Sequence, residues 1–390
     1  MVTMNSADKA LKSLYLGVVA DQLNTQVNPL LARIRQTTED VWGKEVRKLA
    51  RYGINGGIGA GTETGELPDA QGNNYEQFVL TLKNLYGTIE ISDKAVRASE
   101  NNAGAFVNLL NSEMEGLIKS SSFNFGRMLF GDGTGKLASV ASVETDGTVV
   151  FDSVKNIFEG MVVDFLHSGS VISGYAQRVV KSVDRTNKKV TFAGTAIASS
   201  AVVADDIITV QNSYNREITG LGAIFKSTGS IYGLDRANNK WLVPYMKSSV
   251  GSISETVIQK AIDEIEENTG SKVNFIVCSS GVKRALQAHL AQYKRNVDIT
   301  TLEGGYSTIT FNGIPVVSDR FCPDGTMYLL NTDDFALHQL CDWQWLETQD
   351  GKILNQTAGK PVYNATLVKY ADILCSRPCG QGMLTGITEA

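Results

Sequence analysis

The clearest periodicity in the chain lies between residues 103 and 130. Ala103, Phe106, Val107, Leu110, Met114, Leu117, Ile118 and Ser121 recur at three- and four-residue intervals. That spacing places side chains on one face of an α-helix. At roughly 1.5 Å per residue the helix would be about 40 Å long. Gly104, Gly116 and Gly126 each weaken it by about 1 kcal/mol relative to Ala, so packing has to hold it. Phe123 and Phe125 read as packing residues. Upstream, 78–91 mixes β-branched and aromatic residues in partial alternation, which predicts strand. Ser92-Asp93 is placed to cap a short helix through Arg97.

Between residues 140 and 215 the pattern changes. Short strand-like runs recur at 148–151, 161–165, 177–183, 189–192 and 207–210, with turn residues such as Asp184-Arg185-Thr186-Asn187 between them. This predicts a small inserted β domain, a barrel or a sandwich. From about residue 250 the chain turns α/β. Ser252-x-x-Glu255 reads as a capping box. Val257, Ile258, Ala261, Ile262 and Ile265 form an apolar face that ends at Asn268-Thr269-Gly270. A strand at 273–278, a second helix capped by Ser280, and strands at 308–311, 314–317 and 327–330 follow. Asn312-Gly313 predicts a tight hairpin turn, and 361–375 is strand-like again.

Glycine changes the picture at one place. The chain holds 37 Gly against 7 Pro, and Gly53, Gly56, Gly57, Gly59, Gly61, Gly65 and Gly72 fall within 53–75. Such a run suits a long mobile loop rather than a core. It is not a dinucleotide fingerprint: Thr62 and Thr64 stand where the third glycine of G-x-G-x-x-G belongs, and no apolar strand leads in. With the strand at 78–91 it forms one protruding arm. Gly131-Asp132-Gly133-Thr134-Gly135-Lys136-Leu137 likewise fails as a P-loop. Phe130 replaces the first glycine, Leu137 replaces the Ser or Thr, and the run follows a helix. It reads as a helix stop.

Composition and charge exclude several classes. Hydrophobic residues are 43% and charged residues 20%, the profile of a folded globular chain, and the net charge of −5 argues against a dedicated nucleic-acid binder. No uncharged run reaches the roughly 18 to 20 apolar residues of a membrane span. Lys9 and Lys12 before 14–20 faintly suggest a signal peptide, but Asp8 and Asp21 sit wrongly for one, and the start of an amphipathic helix made in the cytosol is expected. Asn28-Pro29 breaks any helix in the polar first fifty residues, and 44–49 is charged and expected to be exposed.

Catalytic chemistry is hard to find. Cys278, Cys322, Cys341, Cys375 and Cys379 are odd in number and scattered, so reduced thiols are expected. His338-x-x-Cys341 with Cys375-x-x-x-Cys379 is the one conceivable zinc set, and its spacing is off the usual pattern. His167, His289 and His338 lack a nucleophile in a recognisable motif. Asp205-Asp206 and Asp333-Asp334 are sequence neighbours, which a strand points to opposite faces, so solvated turns are expected. Trp343 and Trp345 share a face and read as packing or an intersubunit contact. No catalytic, cofactor-binding or metal site is expected.

The order of parts resembles the major capsid proteins of tailed bacteriophages, the Hong Kong 97-type fold. Leu67-Pro68 through Lys83 and Tyr86 to Ile91-Ser92 is similar to that family's extended loop running back into the body, and 103–130 to its spine helix. Phe311-Asn312-Gly313-Ile314-Pro315-Val316-Val317-Ser318-Asp319, with Pro323-Asp324-Gly325-Thr326-Met327-Tyr328-Leu329-Leu330, is similar to its axial domain. The resemblance implies an α+β fold with an N-terminal arm (1–52), extended loop (53–92), peripheral domain with the spine helix (93–139), inserted β domain (140–215), axial domain (216–350), and return strands with the C-terminal tail (351–390). It implies a non-enzymatic shell subunit of the virion, assembled in the host cytoplasm into hexamers and pentamers of itself. Scaffolding, portal and decoration proteins and a maturation protease would be partners. Double-stranded DNA would be enclosed without specific binding, and no membrane is involved. Intersubunit contacts would fall on Gly57, Gly61, Glu66, Leu67, Pro68, Phe78, Lys83 and Tyr86. Some members join a loop lysine to an asparagine of another subunit; Lys83 lies in the loop region, but no acceptor asparagine or assisting acid can be matched to it. An encapsulin-type nanocompartment subunit shares the fold and is the alternative. An α/β enzyme centred on 250–340 and a β-rich tail protein are the readings outside it.

Overall fold

The structure is a computed structural model that describes residues 28–94, 103–292, 299–301, 307–347 and 351–390; for 42, 103–112, 292, 299–301 and 307–308 it describes the backbone alone. Most of the expected N-terminal arm lies outside the described residues; of the helix expected from Ser92-Asp93 through Arg97, Asp93 and Lys94 are helical and the rest lies outside them. The chain divides into two compact units, one built on 83–223 and 345–368, the other on 28–82, 224–344 and 369–390.

In the first unit the helix Ala103–Phe130 forms over the predicted range. Met114, Ile118, Phe125, Met128 and Leu129 are buried on it. The strand Lys83–Ser92 lies against the helix with Leu85, Ile89 and Ile91 turned inward. A Cβ at Gly87 would stand 2.9 Å from Leu117 Cδ1, so glycine lets strand and helix approach. After the helix, Asp132 Oδ1 accepts the Thr134 amide at 3.1 Å, and Gly133 and Gly135 take φ of 84° and 80°. The glycine-rich run is thus a helix stop with an Asx turn.

The inserted domain of this unit is a barrel. Its strands run Arg178–Asp184, Lys189–Phe192, Val149–Phe151, Lys136–Val143, Ile207–Val210, Val162–His167 in hydrogen-bonded order. Arg178 and Val179 then pair back onto Val163 and Val162, which closes the ring. Phe151, Val163, Phe165, Val190 and Ile208 fill the interior. Closure removes the edges that a sandwich would leave. Buried Asp164 stitches two loops across it, accepting the amides of Gln177 and Asn212, each at 2.7 Å. Those residues have φ of 52° and 57°.

In the second unit a seven-stranded mixed sheet carries the α/β core. Its order is Tyr245–Lys247, Gly382–Leu384, Met327–Leu330, Phe275–Cys278, Ile314–Ser318, Ser307–Phe311, Ile299–Thr301. All four residues of the strands Phe275–Cys278 and Met327–Leu330 are buried, so these runs are apolar without alternation. Helices Glu255–Thr269 and Ser280–Gln292 share one core with this sheet through Ile258, Ile265, Val282 and Leu286. Asn312-Gly313 makes the expected turn, with φ of 49° and 80°. The caps differ from expectation by one or two residues. Ser254, not Ser252, caps the first helix by accepting the Val257 amide at 3.4 Å. Ser279, not Ser280, accepts the Val282 amide at 3.3 Å. In each case the hydroxyl three residues before an unsatisfied first-turn amide is the one in reach.

Candidate assembly surface

The feature that stands out in the second unit is a β-hairpin. Glu45–Tyr52 pairs antiparallel with Asn74–Thr81 in unbroken register from Glu45↔Thr81 to Tyr52↔Asn74. The ascending strand came from the stretch 44–49, which sequence pattern marked only as charged and exposed. Its one-sided burial explains this: Val46 and Ala50 point inward, while Arg47, Lys48, Leu49 and Arg51 are exposed. The arm expected over 53–92 divides at Leu82: 74–81 is hairpin, and Lys83–Ser92 packs on the spine helix.

An aromatic cluster roots the hairpin. Tyr52 stacks on Trp241 with centroids 5.0 Å apart and planes within 2°, and Phe78 sits 5.8 Å from Trp241 and 5.3 Å from Tyr232. The Val79 amide donates to the Tyr232 carbonyl at 3.0 Å. Tyr232 continues inward: its hydroxyl donates to the Ile373 carbonyl and accepts the Cys375 amide. Burial pushes the Tyr232 phenol well above its ordinary pKa, so it stays a neutral donor.

Beyond this root, loop 53–73 is exposed almost throughout. Its glycines do more than loosen it. A Cβ at Gly59 would stand 2.9 Å from Pro68 Cγ, and one at Gly57 would stand 3.1 Å from the Gln71 amide. The two limbs of the loop therefore run close together where side chains are missing. Asn55 Oδ1 accepts the Gly57 amide at 2.8 Å, and a turn joins the Gly65 amide to the Thr62 carbonyl. On this narrow frame Ile54, Ile58 and Leu67 are 77%, 78% and 88% exposed. Leu49 and Tyr75 on the shaft are exposed as well. Scattered apolar exposure is ordinary, but this concentration on one exposed loop makes it the candidate contact surface.

The residues expected at intersubunit contacts are placed as follows. Gly57, Gly61, Glu66, Leu67 and Pro68 lie on the loop, and all but the half-buried Gly57 are exposed. Phe78 is 1% exposed and anchors the root, which leaves its side chain no surface for a neighbour. Tyr86 is exposed and Lys83 half-buried on the strand Lys83–Ser92 of the other unit. Leu49, Ile54, Ile58 and Tyr75 were missed; an apolar residue in a polar, glycine-rich run was the available signal.

The residues weighed for catalysis sit in structural settings. His167 Nδ1 lies 2.6 Å from Asp206 Oδ1. Asp206 is buried and also accepts the Val203 amide, so it is not the solvated turn residue its position suggested. Asp334 is half-buried and takes a bond from Gln381 Nε2 at 3.1 Å; burial raises its pKa. Lys369 is wholly buried with Nζ 2.6 Å from Asp342 Oδ1 and 5.7 Å from the Trp343 ring. Burial lowers its pKa, against the pull of Asp342. Trp343 and Trp345 are both buried. Burial pushes the Cys278 thiol up to about 12. Among the described residues no group of three or more His, Cys, Asp or Glu is placed to hold a metal ion. No described helix is long and apolar enough to cross a membrane.

Comparison with known proteins agrees with this geometry. A family model described as SU10 major capsid protein matches residues 188–353, from the barrel's Lys189–Phe192 strand through six of the seven strands of the mixed sheet. Among solved structures, the cyanophage A-1(L) capsid asymmetric unit aligns over 94% of this chain and 92% of that one, with a TM-score of 0.57 and 12% identity. The capsid of Myoviridae phage XM1 aligns over 93% and 92%, at a TM-score of 0.47 and 10% identity. The holo-SrpI encapsulin of Synechococcus elongatus PCC 7942 aligns over 93% and 89%, at 0.46 and 9%. No curated protein matches the sequence. The capsid fold over nearly the whole length and the family match over 188–353 agree: the chain shares its fold with a phage capsid protein, and its residues 188–353 are similar to the SU10 major capsid protein family.

Proposed function

We propose that this chain builds the icosahedral head of a tailed phage as homo-hexamers and homo-pentamers enclosing double-stranded DNA, with the hairpin and loop 53–73 laid on a neighbouring copy. The wall has no catalytic task. The observation that carries the reading is the apolar loop held out on a rooted shaft. Burying a side chain such as Ile54, Ile58 or Leu67 contributes about 1.5–3 kcal/mol, and a closed symmetric assembly satisfies every copy of the contact at once. The barrel and the seven-stranded sheet have their own cores and remain rigid while the loop adapts. A net charge of −5 suits a wall that encloses DNA without gripping it. Scaffolding and portal proteins are the partners such a head would meet, joined by decoration proteins and a maturation protease in heads that use them.

Deleting 56–72 tests the reading. The register from Glu45↔Thr81 to Tyr52↔Asn74 stays intact, and 53–55 with 73 remain to close the turn. The body folds, with an unchanged far-ultraviolet spectrum, while electron microscopy finds no shells where the full chain gives them. Loss of folding on deletion, or normal shells without the loop, counts against the assignment. Particle contents separate the phage head from an encapsulin: packaged DNA in the one, an enzyme cargo in the other.

A further inference from the structure

The charges of the hairpin are sorted along its length. Between Tyr52 and Leu82 the chain carries Glu63, Glu66, Asp69 and Glu76 and not one Lys or Arg. Glu63, Glu66 and Asp69 are exposed, on the same stretch as Ile58 and Leu67. The ascending strand has the opposite sign, with Lys44, Arg47, Lys48 and Arg51 against Glu45. Strand alternation puts Arg47, Leu49 and Arg51 on one face, and pairing sets Leu49 across from Gln77 and Arg51 across from Tyr75. That face is therefore basic and apolar, with Leu49 and Tyr75 both at least half exposed. The tip is acidic and apolar.

The spacings are compatible. Arg47 and Arg51 stand about 13 Å apart along a strand, and Glu66 and Asp69 about 10 Å apart along extended chain. Arg47, 60% exposed, pairs with Glu45 at 3.2 Å. An exposed pair of that kind is weak and easily exchanged for another carboxylate. The tip lies beyond the end of the paired strands, so tip and shaft are separate patches of one element.

We infer that the acidic loop tip of one copy docks on the basic shaft face of the next, Glu66 and Asp69 meeting Arg47 and Arg51 while Leu67 and Ile58 cover Leu49 and Tyr75. The occupant is a second copy of this chain, which the opposite charges of its two patches favour. Such a contact joins unlike patches head to tail, and a head-to-tail contact repeats around a ring until the rotation closes it. It rests on the capsid reading above and adds what that reading leaves open: where the loop lands and what selects the landing.

Charge reversal tests it. Glu66→Lys with Asp69→Lys, and separately Arg47→Glu with Arg51→Glu, each lower the assembled fraction by about tenfold or more. All four changes together restore it. Assembly of the full chain also weakens as salt is raised through the range that screens exposed pairs. A melting temperature close to that of the unaltered chain in each variant shows that the effect is not on folding. A second measurement keeps the charges in place. Shells of the Arg51→Lys variant, made from mixed light and heavy nitrogen-labelled copies and treated with a carbodiimide, give a peptide joining position 51 of one copy to position 66 or 69 of another. Unaltered assembly in both reversals, failure of the four-fold variant to recover, or a link from the tip to some other part of the chain overturns the inference while the capsid reading stands. Failure of the unaltered chain to form rings or shells overturns both.

Discussion

Arg127, on the last turn of the spine helix, is bound to Glu217, and both side chains are almost wholly buried, at 4% and 2% exposure. Arg127 is also held by Asn124 Oδ1, at 2.7 Å from Nη2. The pair ties the end of the helix to the chain leaving the barrel, within one unit. Cutting one partner strands a charge in the interior, which costs about 3–5 kcal/mol, whereas replacing both with apolar groups of like volume is far milder. Glu217→Ala is therefore expected to lower the melting temperature sharply. Arg127→Met with Glu217→Leu recovers most of the loss. Equal melting for the single and the double variant would show that the pair is not coupled.

Two glycines of the same unit respond in opposite directions. A Cβ at Gly220 would fall on the main-chain oxygens of Met128, Leu129 and Gly131, the last at 2.6 Å. Those atoms belong to the end of the helix and cannot swing aside as a side chain can. Gly220→Ala is expected to destabilise by about 3 kcal/mol. Gly116 lies mid-helix with nothing within 4 Å of an added Cβ. Gly116→Ala restores helix propensity and stabilises by about 0.5–1 kcal/mol. Denaturant titration of the two variants reads both signs; a shared sign contradicts the packing described.

The elements that sequence pattern located best are those that bury a face locally. The spine helix, the barrel strands at 189–192 and 207–210, and the turn at Asn312-Gly313 fall where periodicity and turn chemistry put them. Glu45–Tyr52 was not recognised as a strand, because only Val46 and Ala50 are buried and the charged Glu45, Arg47, Lys48 and Arg51 fill most of the rest. Its partner supplies the pattern it lacks. The root of the hairpin was out of reach for another reason: Trp241 and Tyr232 meet Tyr52 and Phe78 only through the tertiary fold, and nothing local marks Phe78 as an anchor. The glycines of 53–73 were legible as a projecting loop. Their role in letting two limbs run side by side needs the geometry of Gly57 and Gly59.

The Tyr52–Trp241 stack gives the hairpin a measurable hinge. An aromatic pair contributes about 0.5–1.5 kcal/mol beyond its buried area. Tyr52→Ala removes it at the outer end of the paired strands, where Tyr52 faces Asn74. The expected result is faster amide exchange along 45–52 and 74–81, with little change in the barrel or the seven-stranded sheet. Trp241 fluorescence shifts to longer wavelength as the ring becomes wetter. Uniform loss of protection across the second unit would mean that the stack holds the whole unit and not the hairpin alone.

His338 makes stability depend on pH. It lies on the strand Phe335–Trp345 opposite Thr37, 3% exposed. Burial lowers its pKa from the ordinary 6.5; Lys48 and Arg35 push the same way, and Asp40 opposes them. A histidine kept neutral in the folded state binds fewer protons there than in the unfolded chain. Folding is then weakened as pH falls below 6.5, by about 1.4 kcal/mol for each unit separating the two pKa values, until the folded pKa is reached. Above 6.5 the histidine makes no difference between the states. Melting curves from pH 8 down to pH 5 should therefore be level at first and then fall. His338→Gln removes the histidine's share of that slope whatever it does to the absolute stability, because the amide does not titrate. An unchanged slope in that variant would assign the acid sensitivity to another group.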